Sequence, residues 1–228
     1  VTRIVFLGDS LTWGGYGGNF VAEVKKQMPQ HEIINAGVGG DTVVNLMRRL
    51  HDVLNDYEPD AMFVMVGGND ATSYSMPDTR GYYRKSKGLE DGMVTPAEFE
   101  STYRELLVQV QLNFVQAFVG VAPTEYNREL IEARRQYNQL AKHVAESLNL
   151  PVLDLAAIFN PQDPVERQPV DLSFISEIGA RVRHGWDDYE AERQKWGYNY
   201  TFDGMHLTPQ AATEFANHIV TFLQKHIS

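Results

Sequence analysis

Ser10, in Gly8-Asp9-Ser10-Leu11, is a small hydroxyl set where the apolar run over residues 4–7 breaks off and a glycine-rich stretch follows. A hydroxyl becomes a useful nucleophile only with a base to take its proton, a group that orients that base, and donors for the oxyanion that attack creates. Asp203-Gly204-Met205-His206, near the other end of the chain, offers the first two. A glycine-containing turn of that length can carry the Asp203 carboxylate to one imidazole nitrogen and leave the other for Ser10 Oγ. By itself the pair equally describes a turn aspartate and a surface histidine, and a serine after Gly-Asp equally describes a turn or helix cap.

Donors come from two further segments. Asn35-Ala36-Gly37-Val38-Gly39-Gly40-Asp41-Thr42 and Gly67-Gly68-Asn69-Asp70 each follow an apolar run. The backbone N–H groups of Ser10 and Gly40 and the side-chain amide of Asn69 are candidates to converge on one oxyanion. Each glycine or asparagine also has a plainer role in permitting a positive φ. Phosphate binding is disfavoured: neither G-x-x-x-x-G-K-[ST] nor an opening G-x-G-x-x-G is present, and residues 37–40 have no Lys or Arg beside them in sequence. Zinc is disfavoured as well, since there is no H-E-x-x-H and Asp203 with His206 makes at most two ligands. No cofactor and no metal are expected.

These residues must be positioned by a scaffold, and the chain supplies a regular one. Apolar runs predict strands at 3–7, 32–35, 61–66, 114–121 and 152–154. Between and after them, helical periodicity predicts helices at 19–28, 42–55, 96–111, 129–148 and 209–226. Thr42 is placed to cap the second helix. Thr95-Pro96-Ala97-Glu98 gives the third a cap, a proline in the first turn and an acidic first turn. Strand–helix alternation with short connections implies a mostly parallel sheet between helical layers, with ligands received at the carboxyl ends of the strands. The 228 residues read as one domain, 1–228, with insertions at about 71–94 and 156–201. The second insertion is rich in Trp and Tyr, carries a predicted helix at 187–195, and could cover the site or pack on a second copy in a homo-oligomer.

A net charge of −10 excludes a phosphate-neutralising surface and hence nucleic acid. No apolar stretch is long enough for a membrane span. No charged n-region with an apolar core opens the chain, so the cytoplasm is the default expectation. The absence of cysteine removes thiolate nucleophiles and disulfides together.

Taken in order, Gly8-Asp9-Ser10-Leu11, Gly40-Asp41-Thr42, Gly67-Gly68-Asn69-Asp70 and Asp203-Gly204-Met205-His206-Leu207 span nearly the whole chain. In these blocks the sequence resembles the SGNH hydrolases, also called the GDSL esterase/lipase family. The resemblance implies an α/β fold, a flavodoxin-like three-layer α/β/α sandwich with a five-stranded parallel sheet. It implies Ser10 as nucleophile, His206 as base and Asp203 as its orienting carboxylate, with Ser10, Gly40 and Asn69 forming the oxyanion hole. The expected substrate is a small-molecule ester, and the polar 71–94 segment favours short acyl or acetyl groups, including acetyl groups on carbohydrate. Longer-chain lysophospholipase or thioesterase activity and a noncatalytic binding domain are the alternatives.

Overall fold

The computed structural model describes residues 1–159 and 172–227. Its centre is a five-stranded, wholly parallel sheet: β1 (Arg3–Gly8), β2 (Glu32–Gly37), β3 (Ala61–Met65), β4 (Gln116–Val121) and β5 (Val152–Asp154), in the order β2-β1-β3-β4-β5. Alternation along each strand divides the core into two layers. Val5, Leu7, Met62, Val64, Ala117 and Val119 face α3 (Val43–Tyr57), α6 (Pro96–Leu112) and α7 (Arg128–Ser147). Ile4, Phe6, Phe63, Met65 and Phe118 face α2 (Phe20–Gln27) and α11 (Pro209–His226). Complete burial of Ile4, Phe6 and Phe63 is worth about 1.5–3 kcal/mol each, which fixes β1 and β3 as the interior of the sheet.

This is the three-layer α/β/α arrangement expected from the sequence. The helix starts follow local chemistry: Asn19, Thr95, Asn127 and Thr208 each accept a first-turn N–H through the side chain. At α3 Thr42 is the N-cap, as expected, in a capping box with Asn45. Val43 N donates to Asp70 Oδ1 at 3.0 Å, while Thr42 itself donates through N and Oγ1 to Asn45 Oδ1.

One expectation is corrected. The fourth strand begins at Gln116, not at residue 114, because Phe114 sits at φ 60° and is 98% exposed, outside any ladder. The segment from 71 to 94 contains the end of α4 (Gly68–Ser75), a 3₁₀ turn (Pro77–Thr79) and α5 (Arg80–Lys87). The second insertion contains α8 (Leu155–Phe159), α9 (Leu172–Arg183) and α10 (Tyr189–Trp196), the last close to its predicted place; residues 160–171 lie outside the described part.

Candidate active site

Ser10 opens α1 (Ser10–Trp13), a single helical turn set at the carboxyl end of β1. The buried Asp9 caps it, its Oδ1 accepting from Leu11 N at 3.0 Å, and Gly14 closes it at φ 64°. Gly8 permits the sharp exit from the strand, because a Cβ there would collide with the Thr12 side chain and the Met65 carbonyl. Asn35 Nδ2 donates to Thr12 O at 2.7 Å and Arg49 Nη2 to Gly8 O at 3.1 Å, so the turn is held from β2 and from α3.

His206 reaches the same point from a position 196 residues away: its Nε2 lies 3.0 Å from Ser10 Oγ. Its Nδ1 lies 2.6 Å from Asp203 Oδ2. An ionised carboxylate only accepts, so Nδ1 carries the proton and the Nε2 lone pair faces the serine hydroxyl. Asp203 Oδ1 accepts from Met205 N at 2.9 Å and His206 N at 2.7 Å, which makes the carboxylate the organiser of its own turn. Gly204 supplies φ 90° at the turn's tip. Burial pushes the His206 imidazole down, but the charge and hydrogen bond of Asp203, with Asp9 behind, outweigh it and hold the ring above its ordinary pKa. Phe202 stacks at 6.0 Å on one side and Tyr16 meets the ring edge-on at 6.1 Å.

A residue that sequence reasoning missed anchors this turn. Glu125, buried in the loop after β4, accepts from Asn199 N (2.8 Å), Asn199 Nδ2 (2.7 Å), Tyr200 N (3.0 Å), Thr201 N (3.0 Å) and Thr201 Oγ1 (2.8 Å). The segment it grips pairs with the chain leaving the turn: Thr201 bridges to Leu207, and Phe202 N donates to His206 O at 3.0 Å. Glu125 N and Thr124 Oγ1 also donate to Gly204 O, each at 2.9 Å. One loop therefore holds both ends of the Asp203–His206 turn. A lone glutamate between a strand and a helix carries no periodicity or spacing signal that would single it out.

Gly40 and Asn69 lie in the segments that follow β2 and β3, the two strands paired with β1. Gly40 adopts φ 79°, with its α-carbon against the Tyr82 hydroxyl and the Lys87 side chain, which would collide with any Cβ. Asn69, in the first turn of α4, donates from Nδ2 to Asp41 O at 3.0 Å and accepts at Oδ1 from Tyr83 OH at 2.8 Å. Tyr83 thus fixes the amide with its nitrogen toward the Gly40–Asp41 backbone, and the second N–H of that nitrogen remains for a ligand. Although no cation is near residues 37–40 in sequence, the fold brings in Lys87 and Arg49. Both pair with the buried Asp41 carboxylate at 2.9 Å, so they brace the loop instead of forming a free anion site.

Behind these loops lies a buried charge group. Arg134 donates from Nε to Ala122 O at 3.0 Å and its Nη1 lies against Gly67 and Gly68, with Asp9 and Asp70 as its anionic neighbours. Burial raises both carboxyls against the opposing pull of Arg134, and Asp70 is pushed up to about 7. Among the described residues no group of three or more His, Cys, Asp or Glu could hold a metal ion, and no helix is long and apolar enough to cross a membrane.

The chain is similar to known proteins in family and in fold. The family described as GDSL-like Lipase/Acylhydrolase matches residues 4–219. An acetylxylan esterase from Geobacillus stearothermophilus is 26% identical over 181 residues, covering 69% of this chain and 78% of that protein. Among solved structures, an acetylxylan esterase from the same organism superposes with a TM-score of 0.67 at 18% identity, covering 97% of this chain and 94% of the other. A lipase/acylhydrolase from Enterococcus faecalis does so with a TM-score of 0.67 at 19% identity, covering 100% and 98%.

Proposed function

The chain belongs to the GDSL-like lipase/acylhydrolase family, whose members hydrolyse esters, and from that premise we propose that it cleaves short-chain acyl esters, acetyl groups on carbohydrate foremost, through an acyl-serine intermediate. The observation that carries the mechanism is the continuous relay from Asp203 Oδ2 to His206 and on to Ser10 Oγ. His206 Nε2 takes the hydroxyl proton as Oγ attacks the ester carbonyl carbon. The imidazolium that forms is stabilised by Asp203, while Ser10 N–H, Gly40 N–H and the Asn69 amide receive the oxyanion. Collapse of the tetrahedral intermediate breaks the C–O bond to the alcohol, which leaves with the proton from His206. Water, deprotonated by His206 in turn, then attacks the acyl-serine carbonyl and releases the acid and free Ser10.

The preference for acetyl esters on sugars is supported by the acetylxylan esterase relative and by the polar character of the segment carrying α5. Ser10→Ala tests the mechanism. It is expected to keep the thermal midpoint and lose turnover of p-nitrophenyl acetate by about 10⁶-fold, the scale of loss for an essential serine. Wild-type protein is expected to take a fluorophosphonate adduct at Ser10. Retained turnover in the variant, or no adduct on folded wild-type protein, overturns the assignment. Faster hydrolysis of octanoyl than acetyl esters overturns the short-acyl preference alone.

A further inference from the structure

The helix α5 lies in a segment that the relay does not use, yet it delivers a tyrosine to the edge of the site. Tyr82 is 49% exposed, and its hydroxyl hydrogen-bonds to none of the described residues. Its ring is held edge-on by Tyr83 at 5.1 Å, and its hydroxyl lies against the α-carbon of Gly40. Trp13, 39% exposed and only three positions after Ser10, approaches the same turn at the preceding glycine. The missing Cβ of Gly39 would sit 3.5 Å from the Trp13 indole, and Tyr16 steadies that ring edge-on at 5.1 Å. Adjacent glycines thus each approach one ring, Gly39 the indole and Gly40 the phenol, and the preceding Val38 is 41% exposed.

We propose that Trp13 and Tyr82 are the two walls of a subsite for the pyranose ring of the leaving alcohol, an assignment that rests on the esterase reading above. Three observations favour a sugar over an acyl chain as the occupant. An exposed indole held at its edge offers a flat apolar face to the C–H face of a pyranose. The Tyr82 hydroxyl has no hydrogen-bond partner among the described residues, and covering it with a methylene chain would strand a polar group, whereas a ring hydroxyl satisfies it. The floor is the Gly39–Gly40 backbone, whose Gly40 N–H is the proposed oxyanion donor, so a ring seated there keeps its ester next to Ser10. Both walls are fixed before a ligand arrives, which lowers the ordering cost of binding.

Steady-state kinetics on two acetates test this: an acetylated methyl xylopyranoside, which has the ring, and ethyl acetate, which does not. Trp13→Ala is expected to raise KM for the xyloside about 10-fold and Tyr82→Phe about 3- to 10-fold, the size expected of one ring contact and one hydrogen bond. Both are expected to leave kcat/KM for ethyl acetate within about twofold. Trp13→Phe, which keeps an aromatic face and guards against a folding defect in Trp13→Ala, is expected to restore most of the loss. Equal losses on both acetates would assign the two rings to loop packing and overturn the subsite. A changed acetyl-to-octanoyl ratio with the xyloside unaffected would overturn it in favour of an acyl wall. Wild-type activity on ethyl acetate with no preference for the xyloside overturns the subsite and leaves the esterase standing; activity on neither overturns both.

Discussion

Glu125→Gln perturbs the site without touching any reacting atom. In the wild type Oε1 accepts two bonds, from Asn199 N and Nδ2, and Oε2 accepts three, from Tyr200 N, Thr201 N and Thr201 Oγ1. A glutamine must place an amide nitrogen against one of these sets. The smaller loss puts it at the Oε1 position, facing two donors, and rotation of the Asn199 amide relieves one of them. One to two charge-assisted bonds then disappear, at about 1.5–3 kcal/mol each, so the expected destabilisation is about 2–5 kcal/mol. For a domain of this size that lowers the thermal midpoint by on the order of 10 °C. The segment so loosened pairs with residues 206–208, and misplacing a base by about 1 Å costs on the order of 100-fold. Urea denaturation paired with steady-state hydrolysis of p-nitrophenyl acetate, at a temperature where the variant is folded, reads both effects. We expect kcat to fall about 10- to 100-fold with KM within about twofold, the pattern of a displaced group that acts only in the transition state. A stability change below about 0.5 kcal/mol with unaltered kcat would show that the clamp neither holds the fold nor places His206.

Because His206 must be neutral to accept the serine proton, hydrolysis is expected to rise with pH through a midpoint above about 6.5. Asp203→Asn leaves burial as the dominant influence, so an NMR titration of the imidazole should show its pKa falling below the wild-type value; an unmoved or higher value refutes this electrostatic account. Asp70, buried and raised to about 7 in the fold, binds its proton more tightly folded than unfolded. Its contribution is therefore fully present below about pH 4 and is lost as pH rises through about 7, by as much as about 4 kcal/mol. Asp70→Asn keeps an acceptor for Val43 N and should gain stability over wild type between pH 4 and 7 in urea titrations; a difference that stays constant with pH contradicts it. Tyr83→Phe frees the Asn69 amide to turn over and is expected to lower kcat about 10-fold with little change in KM, short of the loss from Asn69→Ala, which should be about 100- to 1000-fold. Full activity in Tyr83→Phe would mean that Asn69 needs no such support.

The central strands β1, β3 and β4 were legible because they are buried on both faces. Apolar runs such as residues 4–7 and 61–65 have little freedom to be anything else, and the caps at Thr95 and Thr208 mark their helices by residue type alone. The sequence also pointed to candidate site residues, of which the structure brings Ser10, His206 and Asp203 into contact. Ser10, Gly40, Asn69, Asp203 and His206 each stand within two residues of a glycine, and the relay from Asp203 through His206 to Ser10 is formed in the structure. What stayed hidden has tertiary causes. The helix α4 begins with Gly68-Asn69-Asp70, poor helix formers, and is held from outside by Tyr83 OH on Asn69 and by the bond from Val43 N to Asp70. Glu125, Tyr83 and Lys87 act on partners distant in sequence, and local patterning carries no trace of that. Phe114 reads as the start of a strand because it is aromatic, yet its backbone turns left-handed before the ladder begins.

The clamp at Glu125 has one more consequence, for how the chain tolerates change. Everything between β5 and Asn199 is followed by a point where the backbone is seized again at three successive residues and returned to a fixed place against the sheet. A change of path upstream of that point leaves the backbone at residues 199–201 anchored, whereas packing reaches His206 by another route, through Trp186 and Tyr189 against Phe202. The backbone of the active-site turn is thus indexed to the carboxyl end of β4, through one carboxylate, and not to the path that leads up to it.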